Sequence, residues 1–256
     1  MNDPNGRSTP LAPGSQFDAV LPQHLAAHKA AEPADLADRL DRPYLPRANL
    51  AVSDETPDGT PGWREQHKDL SVLQQHCLFW DRDLDGVIWP LDTFRGFHQL
   101  GYHIIWCVMS VFLIHSSFSY FTNSSWIPDP FFRVYLPTIH RAKHGSDTGS
   151  YDTEGRFVPA KFAAIFSKYD EENKGGLTFS DGLRMIYGNR GIADPIGWIA
   201  AFFEWFATYL LWWPEDGLVT KEMMRTTYDG SAFFLIAEQR KKEGFYSAPD
   251  NLELKH

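Results

Sequence analysis

Residues 73–94, LQQHCLFWDRDLDGVIWPLDTF, join an apolar helical repeat carrying one histidine to three aspartates at alternate positions and a glycine. With Asp81 as position 1 of a twelve-residue loop, Asp83 and Asp85 take positions 3 and 5, Gly86 position 6, Val87 position 7, Ile88 position 8 and Asp92 position 12. That is EF-hand spacing. Alternating carboxylates converge on Ca2+, glycine permits the sharp turn, position 7 offers its backbone carbonyl, and the apolar position 8 pairs with a neighbouring loop. The candidate metal ligands are therefore Asp81, Asp83, Asp85, Val87 and Asp92. Aspartate at position 12, where glutamate is usual, closes the shell with a shorter side chain and predicts weaker binding. Trp89 at position 9 has no side-chain oxygen to offer.

Working outward, Leu70, Leu73, Cys77 and Trp80 recur every three or four residues, so the loop is entered by an amphipathic helix with His76 on its apolar face. EF-hands usually pair, and FSKYDEENKGGLTFSDGLRMI, 166–186, offers a second loop. It has Asp170 at position 1, Glu172 at 3, Gly175 at 6, Leu177 at 8 and Asp181 at 12. Lys174 stands at position 5, where its ammonium repels a cation. The expected fold class is mainly α. It contains an EF-hand-like pair, one loop calcium-competent (69–97) and one degenerate (162–187), with Leu177 against Ile88, and further apolar helices enclosing a pocket for a flat or greasy ligand.

The 256 residues, 43% hydrophobic, suffice for a substantial core. A formal charge of -9 without a basic tract argues against nucleic acid and against electrostatic binding to anionic lipid. Two cysteines, Cys77 and Cys107, give no disulfide framework, and the N-terminus lacks the pattern of a secretory signal, so a cytosol-facing location is expected. Residues 1–65, rich in Pro and Ala, read as a largely disordered tail with helical turns at 24–32 and 34–40, and 241–256 as a C-terminal tail. Between them lies one domain, 66–240. No Asp, Glu, Lys or Arg occurs between Arg95 and Asp129. The apolar segment 101–121 is long enough for a bilayer span, but its serines and histidines fit a buried or interface-embedded helix better. WIPDPFFRVYLP, 126–137, holds three prolines and predicts an extended, turning connection. IGWIAAFFEWFATYLLWW, 196–213, predicts an apolar helix whose single charge is Glu204.

In PTIHRAKHGSD, 137–147, His140 and His144 are four apart, on one face if the segment is helical, with Gly145 in the place of a C-cap. Such a pair can bind zinc, supply one ligand to haem iron, or hydrogen-bond at a helix end. Spacing alone does not choose.

Taken in order, the histidine and triple-aspartate block, the uncharged segment, the proline-rich connection, IHRAKHGSDTGSYDTEGRFVPAKFAAIFSKY, NRGIADPIGW and KEMMRTTYDGSAF resemble the caleosins, calcium-binding haem peroxygenases of plants and fungi. The resemblance runs from about Leu70 to Phe234 and is of the fungal type. It implies haem b and Ca2+ as cofactors, and transfer of oxygen from a fatty-acid hydroperoxide to an unsaturated fatty acid. It also implies residence on the cytosolic face of lipid droplets or the endoplasmic reticulum. His76, His140 and His144 would be the catalytic histidines, with His76 and His144 binding the cofactor, and the family's proline knot corresponds to Pro128, Pro130 and Pro137. Arg133, Arg141 and Lys143 stand as candidates to meet a propionate or substrate carboxylate. Two other readings fit the same residues. One is a calcium-binding lipid-droplet coat protein with structural histidines; the other is a zinc hydrolase using His76, His140 and His144.

Overall fold

The structure, a computed structural model, describes residues 35–245. Among the described residues helices dominate, with four strands of two residues each. Helix α1 (Leu36–Arg39) and α2 (Trp63–Gln66) precede α3 (Val72–Leu78). At the start of α3, Ser71 Oγ accepts the Gln74 N–H (3.3 Å) and Gln74 Oε1 accepts the Ser71 N–H (2.8 Å), a capping box.

From α3 onward the chain repeats one device four times. A helix enters a loop, the loop passes through a left-handed residue, and one or two residues later a short strand leads into the next helix. The first unit is α3, β1 (Val87–Ile88) and α4 (Pro90–Gln99). The second is α5 (Ile104–Thr122), β2 (Val134–Tyr135) and a 3-10 helix (Leu136–Ala142). The third is α6 (Pro159–Tyr169), β3 (Gly176–Leu177) and α7 (Phe179–Gly188). The fourth is α8 (Pro195–Trp212), β4 (Val219–Thr220) and α9 (Lys221–Tyr228), after which α10 (Ser231–Lys242) closes the fold. The left-handed residues are Gly86 (φ 82°), Phe132 (φ 54°), Gly175 (φ 81°) and Gly217 (φ 75°).

The strands join these units in consecutive pairs. Ile88 pairs with Val134, and Leu177 with Val219. The expected pairing of Ile88 with Leu177 is therefore corrected: each acidic loop has for partner the next loop in the chain, which lacks the acidic pattern. The two pairs have separate cores, one around Trp80, Phe97, Leu100 and Phe233, the other around Phe162, Phe166, Leu177 and Trp205.

Gly96 lets α4 lie directly on the Trp80 indole, because a Cβ there would fall 2.3 Å from Trp80 Cδ1 and 2.4 Å from its Nε1. Overpacking of this kind costs about 1–3 kcal/mol. Gly96→Ala is expected to lower the thermal midpoint by several degrees; an unchanged midpoint would mean that α4 is not held against Trp80.

One expectation about the N-terminal part changes. Residues 35–65, read as the end of a tail, are packed: Leu36, Leu40, Ala51 and Val52 are buried. Their main anchor is polar and could not be seen in the local composition. Arg225, 1% exposed, donates to Ala51 O (3.0 Å), Thr60 Oγ1 (2.9 Å), Asp229 Oδ2 (3.0 Å) and Glu222 Oε1 (2.6 Å). Such a cation is stable in the interior only because its donors are paired. The turn foreseen at 34–40 forms as α1, whereas 24–32 and the end of the C-terminal tail lie outside the described residues.

Helix α5 covers most of 101–121, and it is turned inside out. Its buried residues include Ser110, His115, Ser119 and Thr122. Ile105 (70% exposed), Val108 and Phe112 (72% exposed) point outward. His115 donates Nδ1–H to Phe132 O (2.6 Å) and accepts from the Thr93 hydroxyl at Nε2 (2.8 Å), so it ties α5 to α4 and to the strained turn at Phe132.

Candidate active site and metal loop

A cavity of about 560 Å3 opens where the two pairs meet, lined mainly by apolar side chains of α3, α5 and α8. This is within the range of sites that hold a sizeable organic ligand. His76 and Cys77 of α3, His144, Glu204, Trp106 and Tyr151 are on its wall.

His76 has a defined tautomer. Its Nδ1 lies 2.7 Å from Thr227 O, and since a carbonyl only accepts, Nδ1 carries the proton and Nε2 keeps the lone pair. Burial holds its pKa below the ordinary imidazole value, outweighing the Thr227 carbonyl and the charges of Glu204 and Asp229, so the ring is neutral. A neutral imidazole whose other nitrogen donates to a carbonyl is the form in which histidine binds a metal. The Phe233 ring packs edge-on at 5.1 Å. Thr227 itself is fixed through its hydroxyl, which accepts from Trp212 Nε1 (3.0 Å) and donates to Met223 O (2.8 Å). Cys77 also reaches the cavity wall, but burial pushes its thiol up to about 12. It is a thiol there, and packing is its role.

The other two histidines part company. The 3-10 helix ends at Ala142 and Lys143 is extended (φ -62°, ψ 133°). His140 and His144 therefore do not share a helix face, Gly145 caps no helix, and His140 is not among the residues lining the cavity. His144 does line it. Its Nδ1 accepts the Ser146 N–H (3.2 Å), leaving Nε2–H directed at Glu204, 3.5 Å from each carboxylate oxygen. Burial lowers its pKa, but the Glu204 hydrogen bond and the charges of Glu204, Asp147 and Asp194 outweigh that and raise it. Asp194 Oδ1 caps α8 through the Gly197 N–H (2.9 Å), and its Oδ2 accepts the Ser146 hydroxyl (2.8 Å). The GSD stretch after His144 thus fastens that histidine to the start of α8.

Among the basic candidates, Arg133 is paired with Asp129 (2.7 Å). Lys143 is held by the carbonyls of Tyr151 and Asp152 and by Asp147 (3.2 Å). Arg141 is exposed.

In the first loop, oxygens of Asp81, Asp83 and Asp85 all lie within 4.8 Å of one another. Asp81 Oδ2 accepts the Gly86 N–H (3.0 Å), while its Oδ1 is buried without a partner. Burial, then the nearby charges of Asp85 and Asp83, push Asp81 up to about 6. Three carboxylates so placed, one of them buried, are suited to holding a cation. Asp92 is not in the cluster; its Oδ2 accepts the Trp89 N–H (3.0 Å) at the start of α4.

The degenerate loop already contains its cation. Lys174 Nζ lies 3.5 Å from Asp170 Oδ1, 3.6 Å from Glu172 Oε2 and 3.4 Å from Asp181 Oδ2, the carboxylates at positions 1, 3 and 12. The ammonium expected to repel an ion sits among the groups that would have bound it.

In the sequence Glu204 shows only as the lone charge of an apolar helix, the one local sign that it could serve a site. Thr227 acts through its backbone carbonyl, which no residue type announces.

Residues 68–237 match the family described as Caleosin related protein. The chain is 43% identical over 205 residues to a protein of Lilium longiflorum named Peroxygenase, covering 80% of this chain and 85% of that one. It is 36% identical over 178 residues to Probable peroxygenase 4 of Arabidopsis thaliana, covering 68% and 89%. A shorter match, 39% over 93 residues and 45% of the relative's length, is to a Probable inactive peroxygenase-like protein of Arabidopsis thaliana. No solved structure matches the chain significantly. The extent of the family match and the two long alignments together establish that the chain belongs to the caleosin family and is a peroxygenase.

Proposed function

We propose that the chain is a haem-dependent peroxygenase that takes oxygen from a fatty-acid hydroperoxide and gives it to an unsaturated fatty acid, with Ca2+ as a structural or regulatory ion. The observation that carries this reading is the neutral His76, its Nδ1–H fixed 2.7 Å from Thr227 O, on the wall of an apolar cavity of about 560 Å3. His76 Nε2 would hold the iron. His144, the other candidate, has both ring nitrogens engaged by Ser146 and Glu204, so we assign the iron to His76 alone.

Haem, when bound, supplies an iron that activates the hydroperoxide and passes its oxygen on. The residues supply the rest. Thr227 O fixes the His76 ring and tautomer. Apolar walls accept an acyl chain and keep water away. One proton must move from the terminal oxygen of the hydroperoxide to the oxygen that leaves as alcohol, and the polar pair at the wall, His144 with Glu204, is suited to move it. Overall, ROOH and an alkene give ROH and an epoxide.

The first helix–loop–helix pair reads as EF-hand-like, with Asp81, Asp83, Asp85 and the Val87 carbonyl offered to calcium. Because the loop begins at the end of the helix that carries His76, the ion would steady that helix. The outward face of α5, continued by Trp126 and Ile127 (93% and 75% exposed), favours apolar attachment to a lipid-droplet or endoplasmic reticulum surface.

Lys174 supports a single calcium site. Lys174→Asp, which restores a carboxylate at position 5, is expected to raise the calcium stoichiometry in calorimetry from one to two. A variant still binding one ion would mean that this loop geometry cannot host calcium.

The function itself is tested by giving haem-loaded protein linoleic-acid hydroperoxide and oleate. Equal amounts of hydroxy acid and epoxystearate are expected. Consumption of the hydroperoxide without epoxide, or turnover by haem-free protein, would reject the proposal.

A further inference from the structure

His144 is the imidazole that resemblance offers for proton transfer, yet a general base needs a free lone pair facing the reacting atom. A neutral imidazole has one lone pair. In His144 it lies on Nδ1 and is occupied by the Ser146 N–H at 3.2 Å. The other nitrogen, Nε2, bears the proton and points to Glu204. Glu204 has the spare capacity: an ionised carboxylate has about four lone-pair sites, and Nε2–H approaches its two oxygens from one side at 3.5 Å each. It is the single charge of α8, its side chain is 59% exposed, and it is on the cavity wall, close enough for its charge to bear on His76 and Tyr151.

We infer that Glu204 is the catalytic proton carrier of the hydroperoxide step and that His144 is the positioning residue that orients its carboxylate. The inference rests on the peroxygenase reading and deepens it. Glu204 takes the proton from the terminal oxygen of ROOH. When the O–O bond breaks and its electron pair leaves on the inner oxygen, the carboxyl group returns the proton there to give ROH. The second oxygen is retained for the acceptor, so atoms and charge balance without a further reductant. His144, donating from Nε2 and tied through Ser146 and Asp194 to the start of α8, keeps the carboxylate turned to the cavity.

Four variants and one measurement on haem-free protein test this. Glu204→Gln preserves an acceptor for His144 but cannot take a proton. It is expected to lower kcat about 100-fold or more, the ordinary contribution of a general acid–base group, with KM for the hydroperoxide within about threefold and haem content unchanged. Glu204→Asp should recover part of that loss. His144→Ala should lose less than Glu204→Gln, since it removes only the orientation. In haem-free protein labelled with 15N-histidine, the His144 Nε2–H signal should be visible at neutral pH in the wild type and in Glu204→Gln, and lost in Glu204→Ala. Full activity of Glu204→Gln alongside an inactive His144→Ala would make the imidazole the carrier and overturn the inference. So would a His144 proton on Nδ1. Wild-type protein that makes no epoxide would overturn both this inference and the reading beneath it, whereas the histidine signals alone report whether the Glu204–His144 pair exists.

Discussion

His76→Ala is expected to leave a folded protein that no longer retains haem and no longer makes epoxide. The ring sits on α3 with its neutral form enforced by burial and its orientation fixed by the Thr227 carbonyl. Losing an outer-shell partner costs a metal site roughly 10–100-fold, and losing the ligand itself should cost more. Alanine also opens space beside Phe233 and Trp80, so some destabilisation is expected, and far-ultraviolet circular dichroism separates unfolding from loss of the cofactor. His140→Ala is the control. His140 is not on the cavity wall, and its substitution should leave haem content and turnover within about twofold, the range of surface substitutions far from a site. Equal losses in both variants would mean that the division between these histidines is wrong.

The second large effect concerns Asp81. Its pKa in the metal-free protein is about 6, against roughly 3.9 in an unfolded chain. A raised pKa means that the folded state holds the proton more tightly. The resulting stabilisation is complete below about pH 4 and is lost as pH rises through 6. Above that pH the protein carries a buried, ionised Asp81 beside Asp83 and Asp85, a repulsion that bound calcium would relieve. Metal-free wild type should therefore lose thermal stability between pH 4 and 6. Calcium should restore it at neutral pH, by about 2.7 kcal/mol at a hundred times the Kd. In Asp81→Asn the fall between pH 4 and 6 should shrink, the metal-free midpoint at neutral pH should exceed that of wild type, and the calcium response should vanish. Thermal melts with and without calcium across this range decide the matter; a wild type indifferent to calcium would remove the ion from the account.

Much of this was legible in residue order because it depends on local rules. Alternating aspartates, a glycine and helical spacing foretold the first loop with α3, and the long apolar runs foretold α5 and α8. The partners of the two acidic loops were hidden because pairing units need no ligands of their own. At the left-handed position, Phe132 stands where glycine would have announced a turn, and the loop before Val219 has its two acids, Glu215 and Asp216, side by side instead of at alternate positions. The packing of 35–65 was hidden because a buried arginine from α9 anchors it, so the decisive residue, Arg225, is far away in sequence. The spacing of His140 and His144 suggested one helical face, but the helix is of the tighter 3-10 kind and stops before His144. The Lys174 ammonium was legible at position 5, but not that it lies among the carboxylates of Asp170 and Asp181, because side-chain placement is not written in residue order.

The central claim is that His76 Nε2 ligates haem iron. It is tested by the absorption spectrum of haem-supplied wild type and of His76→Gly, before and after imidazole is added. The account predicts an intense Soret band in the wild type, its loss in the variant, and its return when free imidazole fills the space the side chain left. A wild-type Soret band persisting unchanged in His76→Gly without imidazole would contradict it.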